Sequence, residues 1–196
     1  RNRLDPQFRE LVEKIYVAMT ARKSGPAKIG TVATIDMMLP RVSANLLSGL
    51  IETLAAAPFN GKADLPVLAD ELHLELDELF PVSESLQLLH FAEIEGGDIK
   101  LTDAGKQFAE GSMDDRKKLF QRQLLAYVPL AAHIRRVLQE RANHGAPKSR
   151  FLDELEDHMS EEDAEATLRA VTAWGRFAEI YAYDDDSGAF SMENPS

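Results

Sequence analysis

The sequence contains no cysteine and a single tryptophan. Without thiols it has no disulfide scaffold, no cysteine nucleophile and no cysteine-ligated zinc, a composition that fits a reducing compartment. No apolar run reaches the roughly 18 residues that a membrane-spanning helix needs, and the polar start "RNRLDP" is not a signal peptide. Positive charge is also scarce. With 22 Lys/Arg against 33 Asp/Glu the formal net charge is -11, so the surface taken as a whole repels nucleic acid and anionic membrane. No Gly-x-x-x-x-Gly-Lys-Ser/Thr occurs, and the nearest text, "GPAKIG" at 25–30, lacks the lysine and hydroxyl that a phosphate cradle requires.

What remains is ample for a packed core: 196 residues, 44% of them apolar. The expectation is an intracellular, cytoplasmic chain without a catalytic constellation, and its start without methionine is expected of a piece of something longer. The five histidines include no pair at helical i, i+4 spacing. Glu154, His158 and Glu162 would stack only if one helix ran through all three, and Ser160 reads as a break, so a solvated acidic face is the expected reading. "DDDSG" at 184–188 resembles part of a calcium loop but has no distal bidentate glutamate, and reads as a hairpin tip.

Charge is unevenly distributed. Residues 113–150 hold nine Lys/Arg against three acids, whereas residues 151–196 hold thirteen acids against two arginines. The expected consequence is mutual attraction between the basic middle and the acidic end. The candidate interaction surface is Arg116, Lys117, Arg122, Arg135, Arg136 and Arg141.

Apolar spacing predicts a helix over 5–21, with Asp5 as its N-cap, a linker over 22–40, and an amphipathic helix over 42–57. Asp64 caps a short helix, a second helix carries Leu79, Val82, Leu86 and Leu89, and Pro81 is expected in its first turn. Gly96-Gly97 between residues 92–94 and 99–101 signals a hairpin, and Thr102 caps a following helix. Ser112 opens a long helical pattern that Pro129 must kink or split. A second set follows: a short helix at Phe151 to Met159, a longer one from Ser160, then strands expected at 177–182 and 189–192 around a turn-rich tip.

"FAEI" occurs at 91–94 and again at 177–180. A gapless slide of 86 residues puts Val82 on Leu168, Leu88 on Trp174 and Phe91 on Phe177, both phenylalanines being expected at the same joint between helix and strand. The fold class expected is therefore mainly α with small β-hairpins: tandem winged-helix modules at 41–111 and 146–196, joined by a central kinked helical segment at 112–145. Groove docking on DNA is not expected of these modules. The would-be recognition helices and both hairpin tips are acidic, and acids repel phosphates.

The passages "PFNGKADLPVLADEL", "ELFPVSESLQLLHFAEIEGGDIKLTDAGKQFAE", "RKKLFQRQLLAYVPLAAHIRRVL" and "FLDELEDHMSEEDAEATLRAVTAWGRFAEIYAYDDDSGAFSMENP" together resemble the AAA-associated C-terminal domain. That domain follows the ATPase domain in nitrate/sulfonate/taurine-type ABC importer subunits. The opening "RNRLDPQFRELVEKIYVAMT" resembles the tail of such an ATPase domain, which leaves 22–40 as the linker. The resemblance implies a non-catalytic regulatory or assembly domain with no cofactor of its own, ATP and Mg being bound upstream. It implies protein partners, namely its own ATPase domain and the dimer mate, with a homodimer as a further option. No nucleic acid is expected, and the inner membrane is reached only through the transporter. The alternatives are a DNA-binding regulator using the basic 113–150 segment, and a small-molecule sensor with a pocket near Tyr127, Trp174 and Tyr181.

Overall fold

The computed structural model describes residue 35 and residues 37–192. The helix expected over 5–21 and most of the expected linker over 22–40 lie outside the described residues. Among those described, the chain is mainly helical, with eight helices and two three-stranded antiparallel sheets.

The first unit begins with α1 (Ala44–Ala55), whose N-cap Ser43 accepts from Leu46 N at 3.1 Å and which buries Leu47, Leu50, Ile51 and Leu54. Strand β1 (Lys62–Asp64) ends in Asp64, the cap of α2 (Leu65–Glu71). Helix α3 (Leu76–Leu88) opens with Glu75 N donating to the Glu78 carboxylate at 2.9 Å. This start is earlier than apolar spacing implies, so Pro81 is the sixth helical residue and the expectation of a first-turn proline is corrected. Strands β2 (Ala92–Glu95) and β3 (Asp98–Leu101) form the hairpin, and Thr102 caps α4 (Asp103–Glu110).

Helix α5 (Met113–Tyr127) starts with the reciprocal pair Ser112 and Asp115. Val128 then leaves helical geometry before Pro129, so the proline splits the pattern into α5 and α6 (Pro129–Glu140). The second unit continues with β4 (Gly145–Pro147), α7 (Lys148–Glu156), α8 (Glu161–Phe177, capped by Ser160), β5 (Ala182–Asp184) and β6 (Ala189–Ser191).

The order helix, strand, helix, helix, hairpin thus occurs twice, α1 to β3 and α6 to β6. In both sheets the third strand is central, in the orders β1-β3-β2 and β4-β6-β5. The same backbone bonds recur. Leu65 N donates to Gly97 O at 2.9 Å and Lys148 N to Gly188 O at 2.8 Å; Leu101 N donates to Gly61 O at 2.8 Å and Met192 N to His144 O at 3.1 Å.

These bonds correct the expected register. Phe91 N donates to Leu86 O at 2.8 Å, and the matching closure of α8 is Ile180 N to Gly175 O at 3.0 Å. The residues just before, His90 and Glu179, both take positive φ, at 58° and 57°. Residue 91 is therefore equivalent to 180, a separation of 89, and the slide of 86 is wrong by nearly one helical turn. Leu79 then matches Leu168 and Val82 matches Val171, all buried, while Trp174 falls on Ser85. The strand expected at 177–182 is corrected accordingly: α8 runs through Phe177, residues 178–180 turn, and β5 starts only at Ala182.

The two "FAEI" phenylalanines nevertheless meet. Phe120 of α5 stands between them, 5.8 Å from the Phe91 ring centroid and 5.1 Å from that of Phe177. One continuous apolar core runs through both units and α5.

Candidate interaction surface

Helix α5 is the joint of the molecule. Its Gln123 amide donates to Leu89 O at 3.0 Å and its Gln121 amide to Ala178 O at 3.5 Å. Leu89 and Ala178 are the C-caps of α3 and α8, so two glutamines two residues apart on one helix satisfy equivalent helix ends in the two units. Sequence reasoning missed both, because a glutamine in a helical run carries no signal of its distant acceptor.

The six candidate residues are spread over two helices and a turn. Arg116 closes the end of α4: it donates to Gly111 O at 3.1 Å and Ala109 O at 2.8 Å, lies over the Phe108 ring at 5.4 Å, and forms an ion pair with Glu52 of α1. Lys117 forms an ion pair with Glu179 beside the C-cap of α8. On α6, Arg136 donates to His133 Nδ1 at 3.1 Å, and His133 Nε2 meets Glu154 of α7 at 2.5 Å. Arg135 is half-buried, and its Nε is enclosed without a partner. Arg122 on α5 and Arg141 just past α6 are exposed, and neither has a carboxylate partner among the described residues.

Several cations of the basic middle do face acids of the C-terminal stretch: Lys117 with Glu179, Lys148 with Glu165 at 2.8 Å, and Arg150 with Glu154 at 3.4 Å. Glu154 is thereby used in ion pairing, and Ser160 separates α7 from α8 as expected. No cluster of metal-ligating side chains occurs among the described residues. At the second hairpin tip, hydrogen bonds from Ser187 and from backbone N–H groups hold the Asp184 carboxyl below the usual carboxylate range; Ser112 does the same for Asp115.

The aromatic region considered for a sensor pocket is filled. Trp174 and Tyr181 are fully buried; Trp174 Nε1 donates to Val42 O at 2.7 Å and Tyr181 OH to Val171 O at 2.6 Å. Tyr127 is exposed and stacks on His90, their ring centroids 3.7 Å apart. The depressions lie elsewhere. One of about 540 Å³ is lined by Gln107, Asp115, Lys118 and Arg122, one of about 460 Å³ by Glu52, Lys106 and Arg116, and one of about 260 Å³ by Lys148, Arg169, Arg176 and Tyr183. Among the described residues no helix is long and apolar enough to cross a membrane.

The model of the C-terminal AAA-associated domain family matches residues 66–184, from α2 to the last residue of β5. That is more than half of the chain, and the chain belongs to this family, as an accessory domain. No curated protein and no solved structure matches it.

Proposed function

We propose that this chain is the non-catalytic regulatory or assembly domain of an ABC importer ATPase subunit of the nitrate/sulfonate/taurine type, working by protein contact. In this reading the two units are winged helices, α3 and α8 being their third helices and the β2–β3 and β5–β6 hairpins their wings. The modules in this reading run from α1 to β3 and from α6 to β6, so the second takes in α6 from the connector expected at 112–145, and α5 couples them. The observation that carries the reading is the charge on the faces such a fold would offer to nucleic acid. Helix α3 has no Lys or Arg and exposes Asp77 and Glu78, its hairpin exposes Glu93 and Glu95 against the single lysine Lys100, and α8 opens with exposed Glu161, Glu162 and Asp163, its two arginines, Arg169 and Arg176, lying further along the helix. Phosphates are repelled along α3, its hairpin and the first turn of α8, while a protein partner is not.

The partners are the ATPase domain of the same subunit and its dimer mate, ATP and Mg being held upstream. The location is the cytoplasmic side of the inner membrane, through the transporter. Of the six candidate contacts, Arg122 and Arg141 are exposed and without a carboxylate partner among the described residues, which leaves their guanidinium groups to offer to a partner. A shift of this domain between two positions would favour the open or the closed ATPase dimer. The test is ATP hydrolysis and dimer assembly by the full-length subunit with and without residues 42–196. A changed rate or a changed assembly is expected, and deletion that alters neither removes the reading.

A further inference from the structure

The acidic stretch 151–196 contains two cations, Arg169 and Arg176, and both line one groove between α8 and the β5–β6 hairpin. Lys148, the first residue of α7, joins them there. Two of the three are balanced by neighbours. Lys148 Nζ bonds the Glu165 carboxylate at 2.8 and 3.1 Å, and Arg176 reaches Asp185 of the hairpin tip at 3.4 Å. Arg169 is exposed and makes no ion pair or side-chain hydrogen bond among the described residues. The uncharged part of the lining is Leu168, Thr172 and Ala173 on α8 and Tyr183 on the hairpin.

The equivalent positions of the first unit lack this character. Residues 80, 84 and 87 of α3 stand where 169, 173 and 176 stand in α8, and they are Phe80, Glu84 and Gln87. Leu65 stands where Lys148 does. The groove is thus a property of one unit alone, and the fold does not demand it. Counting the lining residues and their direct ion-pair partners, three cations meet two carboxylates, Asp184 of the same hairpin tip being bonded to Ser187, and Arg169 is left for a singly charged ligand. At about 260 Å³ the groove holds on the order of eight water-sized groups, enough for a small molecule or one long side chain.

We propose that this groove binds a carboxylate, with Arg169 as the primary contact and Arg176 as a second donor that the ligand competes for against Asp185. A planar guanidinium matches a carboxylate in two parallel hydrogen bonds, and Ala173 and the Tyr183 ring offer carbon surface to the chain that bears it. The carboxylate could be carried by a free metabolite or by a Glu or Asp side chain of a partner, and the chemistry of recognition is the same.

Titration of the whole chain with sodium acetate, chloride being exchanged at constant ionic strength and backbone amides being followed by NMR, tests this. Saturable shifts are expected at Thr172, Ala173, Tyr183 and Asp185. Arg169→Gln is expected to weaken binding about tenfold or more, the worth of a charge-assisted bond. Asp185→Asn is expected to strengthen it, because the internal competitor for Arg176 is gone. A purely structural Arg176–Asp185 pair would instead loosen the hairpin and weaken binding. A glutamate-bearing tetrapeptide titrated the same way separates the sources: tighter binding than acetate assigns the carboxylate to a partner's side chain, and equal or weaker binding to a small molecule. Absence of saturable shifts with either probe, or shifts unchanged in Arg169→Gln, overturns the proposal.

Discussion

Tyr181 and Gly175 show how one residue's size sets another's. The hydroxyl end of the Tyr181 ring packs against Gly175, where any Cβ would overlap it, and the hydroxyl donates to Val171 O one turn earlier in α8. In the first unit the equivalent positions carry the reverse pair, Leu86 and Ala92, so large and small have exchanged places while the bond closing the helix is kept. Complete burial pushes the Tyr181 hydroxyl well above its ordinary value of 10.0, because the phenolate has no water to solvate it. The sign of the pH effect follows. A group whose folded pKa is raised contributes stability that is whole below the unfolded value, and loses it as pH rises beyond that value. Tyr181→Phe is therefore expected to cost about 1 kcal/mol at pH 8, from the lost hydrogen bond. Above pH 10 the unfolded wild type gains about 1.4 kcal/mol per pH unit from ionising this tyrosine, and the variant does not. Urea unfolding of both proteins at pH 8, 10 and 11 should show the gap closing and then reversing; a constant gap would mean that the hydroxyl is not sequestered.

At the scale of elements, Arg116 does for α4 what no residue within α4 does. The helix ends at Glu110 with no basic residue in its last turn, and a guanidinium from the next helix takes the carbonyls of Ala109 and Gly111. Its side chain is only 17% exposed, whereas that of its ion-pair partner Glu52 is 51% exposed. The carbonyl bonds should therefore outweigh the ion pair, since exposed pairs are worth little. Arg116→Met, which keeps the aliphatic stem, is expected to lose about 2 kcal/mol, and Glu52→Gln less than about 1 kcal/mol, by urea unfolding at neutral pH. Equal losses would place the stabilisation in the ion pair. Much of this level is legible in sequence: Asp64, Thr102, Ser112 and Ser160 cap as their types and spacing require, and Pro129 divides two helices. Strands β1 and β4 are not legible, because three residues are too few to establish an alternation and one of the six is a proline. The register of the repeat is not legible either. Four matching letters outweigh sparse identity in a linear comparison, but equivalence is fixed by which amide closes which helix, and the "FAEI" match is offset from that by three residues. Charge density along the sequence says where cations are dense and nothing of which ones bond internally, as Arg116 and Lys117 do.

At the scale of the whole molecule, the two units are held as one by contacts that no local pattern announces. The strap before α1 lies on the second unit: Leu39 N donates to Thr167 Oγ1 at 3.3 Å, Trp174 Nε1 donates to Val42 O at 2.7 Å, and Leu39 and Val42 are both buried. Phe91, Phe120 and Phe177 continue this seam through α5. If the domain acts by moving on an upstream ATPase, the described segment that leads into α1 is fastened to the second unit, and a pull on residues 39–42 loads α8 as well as α1. Trp174→Phe removes the indole N–H and part of the ring while keeping an aromatic in the core. The expected cost is about 2–4 kcal/mol, from a cavity and an unpaired carbonyl together. Amide exchange resolved by residue should then accelerate most at 37–43, with β1 to β3 slowed or unchanged relative to that strap. Because the apolar core is continuous, unfolding followed by far-UV signal and by the ring environment of the first unit should remain one coincident transition at a lower urea midpoint. Separation into two transitions would show that the seam at Trp174, rather than the α5 joint, is what makes the two units fold as one.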